Sequence, residues 1–327
     1  MKIGNIEISS QYPLFLAPME DVTDVCFRYL CKQYGVDVMY TEFIASEALI
    51  RNIEKTYKKL TINDNERPIG IQLYGHQIDI MVEAAKISAE KKPDFIDINF
   101  GCPVKKIAIR GAGAGMLRDI PKMIEMTRQI VNSVNLPVTA KTRLGWDFDS
   151  IVIEEVAEKL QDVGIAALTI HARTRSQLYT GQSDWDYIAK VKNNQRIKIP
   201  IIGNGDIDSP QKAKFAFNNY GVDAIMIGRG TIGRPYIFRE IKHYLETDQL
   251  MPEISIEQKV DLAIEHLKKS LEWKGFPKGI LEMRQQFIRY FKGLPEFKNI
   301  KLKLVTSTDV DEILEILENI KKQYKTI

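Results

Sequence analysis

One cysteine of this sequence lies where a thiol could take part in a reaction. Cys102 stands between Gly101 and Pro103, just after an apolar run that ends at Asn99. A thiol with an ordinary pKa of about 8.5 is mostly protonated at neutral pH, so it can donate a proton as a general acid. This position, on a loop past a predicted strand, makes Cys102 a candidate reactive group.

The other two cysteines have a different setting. Cys26 and Cys31 lie with Phe27 and Leu30 in an apolar helical pattern, which predicts that both are small buried side chains. Three cysteines without a C-x-x-C pair fit neither a disulfide framework nor a zinc site. We therefore expect a reducing compartment and no metal.

Polar residues and glycines close several other apolar runs. In chain order these groups are Lys141 with Arg143, His171 with Arg173, Asn204-Gly205-Asp206, and Gly228-Arg229. Glycines allow backbone N–H groups to approach an anion closely, and a neighbouring arginine adds a fixed positive charge. The last two loops therefore predict a phosphorylated ligand or cofactor, and the alternative is that their glycines only form tight turns.

The elements that must position these groups are eight short apolar runs that alternate with helical patterns. The runs are Leu14 to Pro18, Val38 to Phe43, Ile69 to Leu73, Phe95 to Asn99, Pro137 to Lys141, Ala167 to His171, Ile199 to Gly203 and Ala224 to Gly228. This alternation is typical of a parallel sheet, and continuous hydrophobicity indicates strands buried on both faces. Eight units favour an α/β fold of the (β/α)8 TIM barrel type, whose active sites lie at the carboxyl ends of the strands. An open doubly wound sheet is the alternative, because periodicity does not show closure.

The C-terminal part of the sequence has helical patterns and no further strand runs. Ser255 and Gln258 have the spacing of a capping box at the start of one helix. A second helix is predicted around Phe287, and a third begins near Thr308. The predicted domains are residues 1–249, the (β/α)8 barrel, and residues 250–327, a small all-helical domain.

Composition places the chain among ordinary globular proteins. It has 327 residues, of which 44% are hydrophobic and 27% are charged, and these fractions argue against disorder. The N-terminal sequence has no basic stretch followed by a long apolar run, and no segment approaches the roughly 20 apolar residues that cross a bilayer. A cytoplasmic protein without a membrane partner is therefore expected.

Positive charge is concentrated in one segment of the chain. The net charge of the whole chain is only +3, whereas residues 268–303 hold ten Lys or Arg against three Glu, a local difference of 10 − 3 = +7. Two interpretations stay open for this segment. It is either a solvated helical face or a surface that binds successive phosphates of a nucleic-acid backbone.

These motifs, taken in order, resemble those of the tRNA-dihydrouridine synthases. The matching segments are Leu16-Ala17-Pro18-Met19, Gln72-Leu73-Tyr74-Gly75, Asp97-Ile98-Asn99-Phe100-Gly101-Cys102-Pro103, Lys141-Thr142-Arg143, His171-Ala172-Arg173-Thr174, Ile202-Gly203-Asn204-Gly205-Asp206 and Gly228-Arg229-Gly230. The resemblance covers nearly the whole barrel and is nearer to the bacterial B-type branch. One departure is Glu20-Asp21, where many members have Ala-Gly, and it adds two carboxylates at the cofactor entrance.

The resemblance implies FMN at the mouth of the barrel. It places the cofactor on Pro18, Met19, Gln72, Lys141, His171, Asn204, Gly205, Asp206, Gly228 and Arg229. In that arrangement the phosphate lies on the last two glycine loops, Pro18 and Met19 lie against the isoalloxazine, and Gln72 bonds its polar edge. Lys141 would place positive charge beside the ring and so favour the anionic reduced flavin.

The resemblance also implies the substrate and the reaction. A uridine of tRNA is reduced to 5,6-dihydrouridine, with a hydride from reduced FMN to C6 and a proton from Cys102 to C5. The residues expected to bind the substrate are Asn99, Arg143, Arg173, Arg284 and Arg289. The reductant is NADPH or NADH, although no nucleotide fingerprint is visible in the sequence. The uridine must be turned out of the RNA helix to reach a barrel mouth, and a monomer is expected.

Two other functions remain alternatives at this point. A dihydroorotate-dehydrogenase-like FMN oxidoreductase would handle the same pyrimidine bond, but it would have no use for a basic helical tail. A noncatalytic RNA-binding protein on a barrel fold would need neither Cys102 nor Lys141, and a colourless purified protein would favour it.

Overall fold

Strands and helices alternate along most of the chain, which a computed structural model describes for residues 1–324. The strands are β1 (Lys2–Ile3), β2 (Ile6–Glu7), β3 (Leu14–Leu16), β4 (Met39–Tyr40), β5 (Ile44–Ala45), β6 (Ile69–Tyr74), β7 (Phe95–Phe100), β8 (Val138–Arg143), β9 (Ala167–His171), β10 (Ile201–Asn204) and β11 (Ala224–Ile227). The helices are α1 (Val25–Gln33), α2 (Ser46–Ile50), α3 (Glu54–Lys58), α4 (Ile78–Ala89), α5 (Lys105–Ile109), α6 (Ile120–Ser133), α7 (Ile153–Asp162), α8 (Asp186–Asn193), α9 (Pro210–Tyr220), α10 (Ile237–Thr247), α11 (Ile256–Lys274), α12 (Lys278–Tyr290), α13 (Lys298–Thr306) and α14 (Val310–Gln323). None of the helices in residues 1–324 combines the length and apolar character that crossing a bilayer requires.

Eight parallel strands form the barrel. Their order is β3, β11, β10, β9, β8, β7, β6 and β4, and the barrel closes where the Leu16 N–H donates to the Val38 carbonyl at 3.0 Å. This closure confirms the (β/α)8 barrel and excludes the open sheet. One predicted strand differs, because the run 38–43 forms only the short β4, and β5 pairs with the later half of β6.

Side chains pack on both faces of the barrel strands, inside the barrel and against the surrounding helices. Phe15, Tyr40, Phe95 and Met226 belong to an inner cluster that also receives Ile3 from the N-terminal hairpin. The Phe95 ring fits because β6 has a glycine beside it, at position 70, where a Cβ would lie 2.1 Å from the ring. The other strand faces pack against the surrounding helices, which explains the continuous hydrophobicity of the strand sequences.

The C-terminal helices have an apolar core of their own. This core joins α11 to α14 and includes two residues of the preceding chain, Leu30 and Tyr236. The predicted capping box forms at Ser255 and Gln258. The prediction of three helices was wrong, since α13 is a fourth. It was missed because only Leu304 of α13 is buried, which leaves no apolar stripe in its sequence. The last three residues of the predicted domain 250–327 lie outside the described part of the chain.

Helix α1 packs against α11 of the C-terminal helices. Its N-cap residue Asp24 forms a buried ion pair with Lys274 at the end of α11. The Phe27 ring stacks on His266 at a centroid distance of 5.6 Å, and the Cys26 thiol donates to a carbonyl of α11 at 3.1 Å. These contacts fix the C-terminal helices beside the carboxyl ends of the barrel strands.

Candidate functional site

The carboxyl ends of the strands open into a cleft of about 990 Å³, called the barrel cleft below. This volume is at the upper end of the range of about 300–1,000 Å³ that small-molecule sites have. The predicted site residues that line it are Pro18, Met19, Asn99, Cys102, Lys141, Arg143, His171, Asn204, Gly205, Asp206, Gly228, Arg229 and Arg289. The other three predicted site residues, Gln72, Arg173 and Arg284, do not line the barrel cleft.

Cys102 lies on the wall of the cleft with 7% of its surface exposed. The Asn99 side-chain oxygen accepts hydrogen bonds from the backbone N–H groups of Gly101 at 2.9 Å and Cys102 at 2.8 Å. Behind the loop, a Cβ at position 113 would lie 2.9 Å from the Cys102 Cβ, so only glycine fits there. The thiol is therefore held at one place on the cleft wall.

The Cys102 thiol keeps its proton at neutral pH. Burial raises its pKa above the ordinary value, while the Val104 N–H, Arg143 and Lys141 act in the opposite direction. A raised pKa suits a proton donor, because the protonated form stays populated over the whole neutral range.

Lys141 is a half-buried amine next to the thiol loop. Its ammonium donates to the Asn204 side-chain oxygen at 3.0 Å, and the Asn204 amide donates to the Met226 carbonyl at 2.8 Å. Burial lowers the pKa of Lys141 to about 7, and repulsion from Arg143 adds to the decrease. An anion beside this amine would stabilise its charged form.

His171 lies in the same cleft, close to several positively charged side chains. Burial lowers its pKa well below the ordinary value, and the four nearby cations Arg143, Lys141, Arg173 and Arg229 lower it further. The imidazole is therefore neutral at physiological pH. A concave site surrounded by cations favours an anionic ligand.

The two glycine loops after β10 and β11 pack closely together. Gly205 has a φ of 139° and Asp206 a φ of 53°. A Cβ at position 230 would lie 2.6 Å from the Ile207 carbonyl oxygen, whereas a Cβ at Gly228 would meet nothing closer than 3.5 Å. The close approach at position 230 therefore requires a glycine, whereas a Cβ at Gly228 would be in ordinary contact with Ala17 and Met19. Gly228 itself lies on the cleft wall.

Asp206 pairs with two arginines at the rim of these loops. The Arg229 guanidinium donates to it at 3.0 Å, and Arg173 binds it with both terminal nitrogens. Burial opposes ionisation of Asp206, but the bonds from Arg173 and hydrogen bonds from Ser183 hold its pKa below the ordinary value. Arg173 is only 2% exposed and also donates to the carbonyls of Thr180 and Gly181, so it anchors the loop after β9.

Arg143 also makes structural contacts. It donates to the Gly101 carbonyl at 2.8 Å and to the carbonyls of Thr174 and Leu178, each at 2.8 Å. It therefore connects the thiol loop to the loop after β9. Burial lowers its pKa to about 10, which leaves it charged at neutral pH. The substrate contacts expected of Arg143 and Arg173 stay predictions.

Tyr179 is a cleft residue to which the sequence analysis gave no role. It is 52% exposed, and its ring centroid lies 5.5 Å from the Arg143 guanidinium and 4.8 Å from that of Arg229. An aromatic side chain between two guanidinium groups is a suitable surface for a flat ligand. In the sequence, the feature that could have identified Tyr179 was its place on the loop that follows His171.

Gln72 lies beneath the cleft wall. It is fully buried, its amide nitrogen donates to Asp97 at 2.6 Å, and its oxygen accepts from Asn99 at 2.8 Å. The nitrogen and the oxygen of its side-chain amide therefore each have a protein partner. The flavin contact expected of Gln72 stays a prediction.

The carboxylates of Glu20, Asp21 and Glu42 lie close enough to ligate one cation. However, the Lys59 ammonium forms ion pairs with both Glu20 and Glu42, at 3.4 Å for the latter. Lys59 therefore already supplies a positive charge to these carboxylates. Of the three acidic residues, Glu20 lines the cleft.

The two arginines predicted to bind tRNA occupy different places. Arg289 is exposed on the cleft wall, near Lys292. Arg284 instead donates to the Thr306 carbonyl at 3.3 Å, at the end of α13. The structure therefore brings Arg289, but not Arg284, to the cleft.

The sequence matches the family described as dihydrouridine synthase (Dus) over residues 15–325. A probable tRNA-dihydrouridine synthase of Rickettsia prowazekii is 38% identical over 90% of this chain and 89% of the relative. The tRNA-dihydrouridine synthase B of Shewanella oneidensis is 39% identical over 86% of each chain. The same enzyme of Vibrio cholerae is 41% identical over 82% of each chain.

Solved structures with a similar fold include an old yellow enzyme and a morphinone reductase. The old yellow enzyme of Trypanosoma cruzi superposes with a TM-score of 0.55 at 12% identity, over 79% of this chain and 94% of that chain. A mutant of morphinone reductase in complex with tetrahydroNAD has a TM-score of 0.55 at 11% identity, over 75% of this chain and 90% of that chain. At this level of identity the likeness shows a shared barrel fold.

Proposed function

The chain belongs to the dihydrouridine synthase family, and from this premise we propose that it reduces uridines of tRNA to 5,6-dihydrouridine with FMN as its cofactor. The observation that carries the proposal is the placement of a protonated thiol, Cys102, and a half-buried amine, Lys141, on the wall of one cationic cleft. A flavin and a uracil are both flat rings, and the cleft has the volume for a ligand of that class.

The donor set of the cleft fits FMN. The backbone of Gly228 and the guanidinium of Arg229, both on the cleft wall, suit a phosphate at the last two glycine loops. Pro18 and Met19 supply an apolar wall for the ring, and Lys141 a positive charge beside it. When bound and reduced, the flavin supplies the hydride that C6 of the uracil receives.

Cys102 completes the reduction by protonating the other carbon of the double bond. The bond from sulfur to hydrogen breaks, the proton goes to C5, and the sulfur keeps the electron pair as a thiolate. Arg143 and Lys141 both favour that thiolate electrostatically. Water then returns a proton to the sulfur, so the chain itself is unchanged after each turnover.

The remaining features of the enzyme are part of the same proposal. We propose NADPH as the nicotinamide reductant and a monomer that needs no metal. We propose that the enzyme acts in the cytoplasm, on the tRNA found there. The target uridine must be turned outward to reach Cys102, and the cleft continues past Arg234 to Arg289 and Lys292, which suit phosphates of the surrounding RNA.

A direct test uses tRNA that lacks dihydrouridine. The purified protein, supplied with FMN and NADPH, is expected to convert specific uridines, each of which gains two hydrogen atoms by mass spectrometry of digested tRNA. Deleting the gene should remove dihydrouridine from bulk tRNA at the same positions. Turnover of dihydroorotate without action on tRNA would support the dehydrogenase alternative instead, and a colourless inactive protein would support the RNA-binding one.

Reversing the charge of Arg289 should weaken tRNA binding without affecting the flavin. The affinity for tRNA falls as salt rises, and we expect Arg289→Glu to weaken this dependence. The negative slope of log affinity against log salt should become shallower by about 0.7–0.9 for each phosphate contact that is lost. Arg284→Glu should have a smaller effect, since Arg284 does not line the cleft. Lys322→Glu is the matched control, because it makes the same charge change at an exposed position on α14. An unchanged salt slope in Arg289→Glu would remove this residue from the binding surface.

A further inference from the structure

A continuous chain of buried hydrogen bonds runs from the barrel interior to the thiol loop. The Thr139 hydroxyl donates to one Asp97 oxygen at 2.5 Å, and the Gln72 amide nitrogen donates to the other at 2.6 Å. The Asn99 amide nitrogen donates to the Gln72 oxygen at 2.8 Å. The Asn99 oxygen then accepts from the backbone N–H groups of residues 101 and 102. We refer to Asp97, Gln72 and Asn99 as the amide relay.

We propose that Asp97 is a positioning residue, which sets the orientation of both amides of the relay and through them holds the loop that presents Cys102. Asp97 does not line the cleft, and the proposed reaction gives it no role. The proposal therefore concerns how the thiol is held in place, and its test requires neither flavin nor tRNA.

The two ends of the relay leave its amides only one arrangement. An ionised carboxylate is an acceptor only, so Gln72 must turn its nitrogen toward Asp97 and its oxygen toward Asn99. The backbone N–H groups at the other end are donors only, so Asn99 must turn its oxygen toward them. Both requirements are met together, and reversing either amide would place two donors or two acceptors in contact.

Strand register brings the members of the relay together. Gln72 lies opposite Asp97 in the ladder between β6 and β7, and Asp97 lies opposite Thr139 in the ladder between β7 and β8. Asp97 and Asn99 are two residues apart, so their side chains emerge on the same face of β7. Side chains of three adjacent strands thus form one polar layer inside the barrel.

The relay keeps its polarity when Asp97 takes up a proton. Burial raises the pKa of this carboxyl to about 6, so it can be protonated in mildly acidic solution. The proton can lie on the oxygen that faces Thr139, since a hydroxyl group can accept as well as donate. The oxygen that faces Gln72 still accepts. We therefore expect the loop to be held in the same way on both sides of pH 6.

A pair of isosteric substitutions tests the polarity argument. Asp97→Asn should preserve the relay, because the new amide can turn its oxygen toward Gln72 and its nitrogen toward Thr139. Asn99→Asp should break it, because Gln72 would then lie between two carboxylates and could donate to only one of them. The double variant Asp97→Asn/Asn99→Asp should restore a fully bonded relay of opposite polarity, in which Gln72 donates toward position 99 and accepts from position 97.

The measurement is the pH profile of Cys102 alkylation by iodoacetamide, followed for each cysteine by peptide mass spectrometry. In Asn99→Asp we expect the thiol loop to loosen and the alkylation rate to rise by roughly tenfold or more, with a lower melting temperature. The double variant carries the same carboxylate next to the thiol. Its alkylation rate and melting temperature should nevertheless return toward those of the unmodified protein.

The double variant decides the question. If it alkylates as fast as Asn99→Asp, or melts lower still, the two substitutions act independently and the proposal is wrong. If Asn99→Asp does not fold, recovery of folded protein in the double variant supports the relay. Failure of the double variant to fold while Asp97→Asn folds normally contradicts it. Cys31, which is fully buried, provides an internal control against general unfolding.

Discussion

Replacing Cys102 with alanine is expected to slow the oxidation of prereduced enzyme by tRNA by about 10²–10⁴-fold in a single turnover, the usual contribution of a general acid. Bound flavin should be unaffected, because the thiol supplies a proton and is not among the groups proposed to hold the cofactor. The measurement is stopped-flow absorbance of the flavin after mixing with tRNA that lacks dihydrouridine.

Cys31→Ala is the matched control for this experiment. It also removes one thiol, but from a fully buried position in α1 away from the cleft. Because burial raises the pKa of Cys102, the rate of the unmodified enzyme should stay level through neutral pH and fall only above the ordinary thiol value of about 8.5. A full rate in Cys102→Ala would show that another group supplies the proton.

The affinity for FMN should fall as pH rises above about 7, and Lys141 should cause that decrease. Its pKa of about 7 in the ligand-free cleft means that it is half protonated at that pH. An anionic ligand favours the charged form and raises this pKa, so binding takes up a proton. By linkage, the dissociation constant should then rise by up to about tenfold per pH unit, until the pH reaches the pKa in the complex. Titration of the flavin-free protein between pH 7 and 9 measures this slope.

Lys141→Met separates this effect from other titrations. The variant has no ammonium to protonate, so its affinity should be lower by about 10–100-fold at neutral pH and nearly independent of pH above it. The phosphate of FMN, with a second pKa of about 6, is already ionised in this range. His171 remains neutral there, since its pKa is well below the ordinary value. A slope that persists in Lys141→Met would assign the proton uptake to another group.

The roles of the two charged loops differ from what residue type alone suggests. Asp206 follows a glycine in a predicted phosphate loop, but its carboxylate accepts from Arg173 and Arg229. An anionic side chain is unsuited to binding a phosphate directly. Its contribution is to hold Arg229 at the rim, where a guanidinium can meet the ligand.

Several features of this protein were decided by local sequence. The predicted run from Ala167 to His171 coincides with β9, because a strand buried on both faces requires continuous hydrophobicity in its own sequence. The capping box at Ser255 is equally local, since its partner lies three residues away. By contrast, α13 escaped prediction because its packing depends almost entirely on Leu304.

By itself, the sequence determined the eight strands, the loops that follow them and the residue types on those loops, because each depends on side chains within a few positions. Only the tertiary structure decided which partner each polar group has. Arg143, the last residue of β8, and Arg173, just after β9, were predicted to bind substrate, yet both bind carbonyls of the loop after β9. The amide relay likewise joins Gln72 to Asp97 across 25 positions. Hydrogen bonds require contact in space, and that contact is created only when the barrel closes.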